Sequence, residues 1–137
     1  MNRNDLRELS LIRIKEAKVL LQNRNYEGAY YLCGYAIECG LKACIAKKTK
    51  RHDCPDRNTV NESYLHDLTK LVKVAGLALE LDKEIQNAPA FKTNWSIVRD
   101  WSEASRYKKY TEKEASDLLS AVSDKKHGVM KWLKLHW

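Results

Sequence analysis

The chain has 137 residues, with 25 Lys and Arg against 18 Asp and Glu, for a net charge of +7. That length suits one domain over residues 1–137, able to bury a core without disulfides or metal. The basic balance favours polyanions, RNA above all, or an acidic protein partner, and no run approaches the ~20 apolar residues of a membrane span.

The N-terminal MNRNDLRELS carries charge and no apolar signal core, so the expected location is cytoplasmic. The sequence is rich in Leu, Ala, Lys and Glu and has few Gly and Pro, which favours helix. The first predicted helix runs from about Asn4 to Asn23, with Asn4 or Asp5 as its N-cap. Its expected inner stripe is Leu6, Leu9, Ile12/Arg13, Glu16/Ala17 and Leu20. Asn23-Arg24-Asn25 reads as a tight turn.

A second helix follows from Tyr26 to about Lys48. Its small and apolar residues fall at Ala29, Leu32/Cys33, Ala36/Ile37, Gly40/Leu41 and Cys44/Ile45, a three-four spacing that points one stripe at a core. Glu38 sits at the edge of that stripe with Lys42 one turn on. A carboxylate there needs a partner. Lys42 supplies only ~0.2–0.5 kcal/mol if exposed, so Arg99, Arg106 or His66 from a neighbouring element is the better expectation. Gly34, Ala36 and Gly40 are small enough to let another helix approach closely.

The segment from Thr49 to Asn61, TKRHDCPDRNTVN, reads as a basic loop, long enough to move or to carry function. A third helix is expected from Glu62 or Ser63 to Gln86, with Leu65, Leu68, Val72, Ala75 and Leu79 inward. Ala88-Pro89-Ala90 interrupts the chain. A shorter helix from about Phe91 to Ala104 then presents Phe91, Trp95, Val98 and Trp101 on one face. Ser105 to Tyr110, SRYKKY, reads as a basic aromatic linker. Thr111 and Glu114 form a capping box for the last helix, whose stripe is Ala115, Leu118/Leu119, Val122, Val129/Met130 and Leu133. The fold class is therefore all-α, an antiparallel four-helix bundle with an additional short helix.

Cys33, Cys39, Cys44 and Cys54 lack the spacing of a zinc knuckle. Cys33 and Cys44 read as small core residues in a reducing compartment. A metal site built on Cys54 and His52 would still need two more ligands, and neither a metal nor a cofactor is expected.

Three stretches carry a resemblance: Tyr26-x2-Ala-Tyr-Tyr-Leu-x-Gly-Tyr-Ala-Ile-Glu38-Cys-x-Leu-Lys42-Ala, Leu65-His66-Asp67-Leu68-x2-Leu71, and Trp95-x3-Arg99-x-Trp101-x4-Arg106-Tyr107. In order and spacing they resemble the HEPN family of small helical domains that bind nucleotides or RNA, over roughly Leu6 to Leu133. The resemblance implies a homodimer paired through helices that include the second and the last. It also implies a minimal nucleotidyltransferase as partner in a toxin–antitoxin or phage-defence pair.

Ribonucleases of this family use an Arg-x4-6-His motif near the start of the final helix. For the four histidines here, positions 45–47, 59–61, 120–122 and 129–131 would have to supply the arginine, and none does. Where the motif would begin stand Arg106, Tyr107, Lys108, Lys109 and Tyr110. Arg99 and Arg106, seven apart, would share a face on a continuous helix. With Tyr107, Lys108 and Lys109 they are the candidate RNA or nucleotide contacts, joined by Arg51 and Arg57 from the loop, because Arg forks fit phosphate and aromatic rings stack on bases.

A plainer reading has Arg106 pack over Trp101 or pair with Glu103, while the tyrosines cover the bundle end. Glu38, His66 and Arg106 are the candidate catalytic residues if they converge. The plainer reading makes them a polar network that fixes helix register, and makes His66 a first-turn hydrogen-bonding residue. Three functions follow: a binding module without the RNase motif; a metal-independent ribonuclease, with His66 or Tyr107 replacing the absent histidine; or an assembly subunit for an acidic partner.

Overall fold

Asn2, not Asn4 or Asp5, starts the first helix. Its side chain accepts from Asp5 N–H at 2.9 Å, and the Asp5 carboxylate accepts from Asn2 N–H at 3.1 Å, a reciprocal cap. The structure is a computed structural model and describes residues 1–51 and 65–137, without the side chains of residues 50 and 51. Helix α1 spans Arg3–Gln22 and helix α2 spans Tyr26–Arg51. Between them Arg24 takes a left-handed φ of 62°, and Asn25 N–H reaches back to Leu20 C=O at 2.8 Å.

The face that α1 buries differs in part from the expected stripe. Ala17 is buried as expected, but Ser10 and Ile14 go inward as well, whereas Ile12, expected inward, remains exposed with Leu11 and Val19. Close approach decides this. Ser10 Oγ donates to the Ala36 carbonyl of α2 at 2.7 Å, so a small residue occupies the seam there and Leu11 and Ile12 beside it stay outside.

Helix α2 is the centre of the fold, in contact with α1 and with most of the later elements. From Cys33 to Ile45 it is buried on nearly every side, the pattern of a helix that is apolar all round. It continues to Arg51, past the expected end at Lys48. Gly34, Ala36 and Gly40 do permit close approach, but within the chain. A Cβ on Gly34 would fall inside the Trp101 indole, and one on Gly40 would strike Leu133.

Among the described residues the expected third helix is two helices; its expected start at Glu62 or Ser63 lies outside them. Helix α3 spans Leu68–Val74, capped by the Asp67 carboxylate on Lys70 N–H at 2.9 Å, and α4 spans Ala78–Asn87. Gly76, at φ +74°, stops α3 in the left-handed conformation that glycine adopts most readily. The break shifts the register, so Leu77 and Leu81 are buried and Leu79, expected inward, is exposed.

Helix α5 spans Pro89–Val98, with the proline at its start, where no N–H is needed. It ends short of the expected Ala104. Phe91, Trp95, Val98 and Trp101 are all buried as expected, with Trp101 beyond the helix. The expected linker begins inside a short 3-10 helix, Glu103–Tyr107.

The last helix is also divided, into α6, Glu112–Ser123, and α7, Val129–Lys134. The Thr111–Glu114 capping box is present at 3.1 and 3.2 Å. Gly128 sits where a Cβ would collide with the carbonyls of Asp124 and Val122. Among the described residues the structure is all-helical, and no helix is long and apolar enough to cross a membrane. Its core gathers Phe91, Ile37, Leu41, Leu68, Leu118 and Leu133.

Candidate functional site

Glu38 lies midway along α2 and is 1 % exposed. A buried carboxylate without partners carries a large desolvation cost, and two partners meet it. Lys42 Nζ is 3.0 Å from Glu38 Oε1, and His66 Nδ1 hydrogen-bonds the same oxygen. His66 precedes α3 and is held there by the helix that Asp67 caps.

The other face of the imidazole meets a second acid. His66 Nε2 is 3.2 Å from Glu103 Oε2, and Glu103 Oε1 is 3.5 Å from the Arg106 guanidinium. The guanidinium in turn sits 4.9 Å from the centroid of the Tyr107 ring. A chain of polar contacts therefore runs Lys42, Glu38, His66, Glu103, Arg106, from the middle of α2 to the surface. Both imidazole nitrogens face carboxylate oxygens.

Glu38, His66 and Arg106 are thus brought together, with Glu103 as the link. The i, i+3 spacing of Glu103 and Arg106 makes their pairing legible in the sequence, but not the contact of Glu103 with His66. Glu38 Oε2, Trp101 Nε1 and Ser105 Oγ have no hydrogen-bond partner among the described residues, although all three residues are buried.

Arg99 does not share a helical face with Arg106. It caps the end of α5, and the chain has left that helix before the 3-10 turn begins at Glu103. Tyr107, Lys108 and Lys109 are exposed next to Arg106, with Tyr107 at 79 %. Tyr110 instead stacks on Tyr30 of α2, with centroids 3.7 Å apart and planes 11° apart. Burial pushes the Tyr30 hydroxyl up to about 12.

Tyr31 of α2 stacks between Tyr35 at 6.0 Å and Trp101 at 6.1 Å, continuing an aromatic surface that the sequence reading did not single out. The clue was present, since Tyr31 and Tyr35 are one helical turn apart. Arg57, His52, Cys54 and Pro55 lie outside the described residues, as do the side chain of Arg51 and most of the expected basic loop. Among the described residues, no cluster of three or more His, Cys, Asp and Glu is placed to hold a metal ion.

The described residues thus make a small all-α domain, with a buried acid in its central helix linked through a histidine to a basic aromatic turn. A family model of the HEPN domain matches residues 4–135, and the chain belongs to that family. It is accordingly a nucleotide- or RNA-associated helical module in the general sense of the family. Neither a curated protein nor a solved structure matches the chain significantly.

Proposed function

We propose that this domain binds RNA or a nucleotide through Arg106, Tyr107, Lys108 and Lys109, with Arg99 and the loop residues Arg51 and Arg57 extending the contact. The observation that carries the reading is the setting of Arg106. Its guanidinium is held at the surface by Glu103 and by the Tyr107 ring, beside two exposed lysines. A pre-positioned fork with neighbouring cations suits phosphate, and the exposed Tyr107 ring offers a base a stacking face.

The test replaces Arg106 and Lys108 with Ala, both exposed, and titrates single-stranded RNA across a salt series. Affinity should fall, and the log–log salt slope should lessen by about 0.7 per lost phosphate contact. Unchanged affinity in the folded variant would sink the reading.

A metal-independent ribonuclease is the second reading, favoured by the convergence of Glu38 and His66 toward Arg106. Against it stands the absence of any histidine at the Arg-x4-6-His spacing. Incubation with total RNA separates the two: cleavage abolished by Arg106→Ala supports the enzyme, and no cleavage leaves the binding module.

The domain would act in the cytoplasm as a homodimer, paired with a minimal nucleotidyltransferase in a toxin–antitoxin or phage-defence system. Support for this is the family alone. Light scattering of the purified chain and co-purification with the product of a neighbouring gene are the deciding measurements.

A further inference from the structure

A groove of about 450 Å³ opens between α1, the end of α6 and α7. Its floor is aliphatic: Ile14, Val122 and Met130 are buried there, and Leu11, 45 % exposed, stands at the edge. Lys15, Lys18, Lys125, Lys131 and Lys134 line it, and all five are exposed. Among the described residues none of the five is ion-paired with a carboxylate. The acid in the lining, Asp124, is occupied by the backbone N–H groups of His127 at 2.7 Å and Lys126 at 3.2 Å. The groove shares no residue with the Arg106 cluster.

We propose that this groove receives an acidic amphipathic helix from a partner protein. An aliphatic floor containing a methionine suits leucine-like side chains and adapts to their shape. Cations spread around the groove call for several separate carboxylates, which a helix presents on both sides of one apolar stripe. RNA fits less well, because the lining has neither an aromatic ring for a base nor an arginine fork for a phosphate. A second copy related by a two-fold axis would set these lysines against their own counterparts, an arrangement that charge disfavours.

The probe is a displayed library of helical peptides, selected on the wild-type protein and counter-selected on the Lys15→Glu/Lys131→Glu variant. Enriched sequences should flank an i, i+3, i+4 apolar stripe with Asp and Glu. Their synthetic versions should bind roughly tenfold more weakly to the charge-reversed variant, and also more weakly to Leu11→Ser. NMR shifts should map to α1 and α7. Should the double reversal fail to fold, Lys18→Gln/Lys134→Gln takes its place. The proposal is overturned by no enrichment over the variant, by enriched sequences without acids, or by a footprint elsewhere. Loss of RNA binding in the variant, with no peptide selected, also overturns it and assigns the groove to RNA.

Discussion

The indole of Trp101 lies so close against the backbone of Gly34 that no methyl group fits between them. Gly34 is one turn before Glu38 on α2, and Trp101 is two residues before Glu103 on the 3-10 segment. This contact therefore sets the distance across which His66 bridges the two acids. Gly34→Ala should destabilise the fold by about 1–3 kcal/mol through overpacking. It should also weaken RNA binding at Arg106, because the indole must move and carry the 3-10 turn with it. Urea unfolding, followed by an RNA titration of the folded fraction, checks both parts.

Glu38 and His66 should be energetically coupled. A double-mutant cycle of Glu38→Gln and His66→Ala is expected to give an interaction energy of about 0.5–3 kcal/mol. His66→Ala alone leaves a buried carboxylate with only Lys42 and should cost more than Glu38→Gln, which removes the charge but keeps the shape. Additive single effects would show that the network does not hold the two elements together.

The Thr111–Glu114 cap makes a separable prediction, since it touches neither the cluster nor the groove. Thr111→Ala should lose about 1 kcal/mol of stability with RNA binding unchanged. Thermal unfolding and the same titration test it.

The buried thiols predict an alkaline weakness. Desolvation raises Cys39 from 9.0 to about 11 and Cys44 from 9.0 to about 12, and pushes Cys33 higher still. Each folded pKa lies above its unfolded value, so the unfolded chain releases protons first as pH rises. Stability is complete below about 9 and falls above it, by up to ~1.4 kcal/mol per pH unit for each thiol. Denaturant midpoints from pH 8 to 11 should fall, and Cys39→Ala should flatten the slope. In a Cys54→Ser background, the three remaining thiols should ignore a thiol reagent at pH 8 until the protein is unfolded.

Much of the fold was legible because it rests on local chemistry. The small-residue pattern of α2, the Thr111–Glu114 box and the inward Phe91, Trp95, Val98 and Trp101 each depend on spacing within a few turns. The helix breaks were missed where an apolar stripe runs on through a glycine. At Gly76 a left-handed φ overrides the period and turns Leu79 outward. In the last helix the break comes at Asp124, whose ψ of 134° leaves the helical region, and Gly128 starts the next helix. On α1 the expected Ala17 is buried, but hydrophobicity favours Leu9 and Ile12 where a close approach to Ala36 selects Ser10.

By itself the sequence determined an all-helical chain, a buried Glu38 in need of a partner, and a basic aromatic turn at Arg106, because periodicity, desolvation and charge act on residues near one another. Only the tertiary structure decided the partners. His66 stands 28 residues from Glu38, and Glu103 is farther away again. No local rule connects them, and they meet because Gly34 lets the Trp101 segment close against α2. The lysine groove likewise exists only once α1 meets α6 and α7, from opposite ends of the chain.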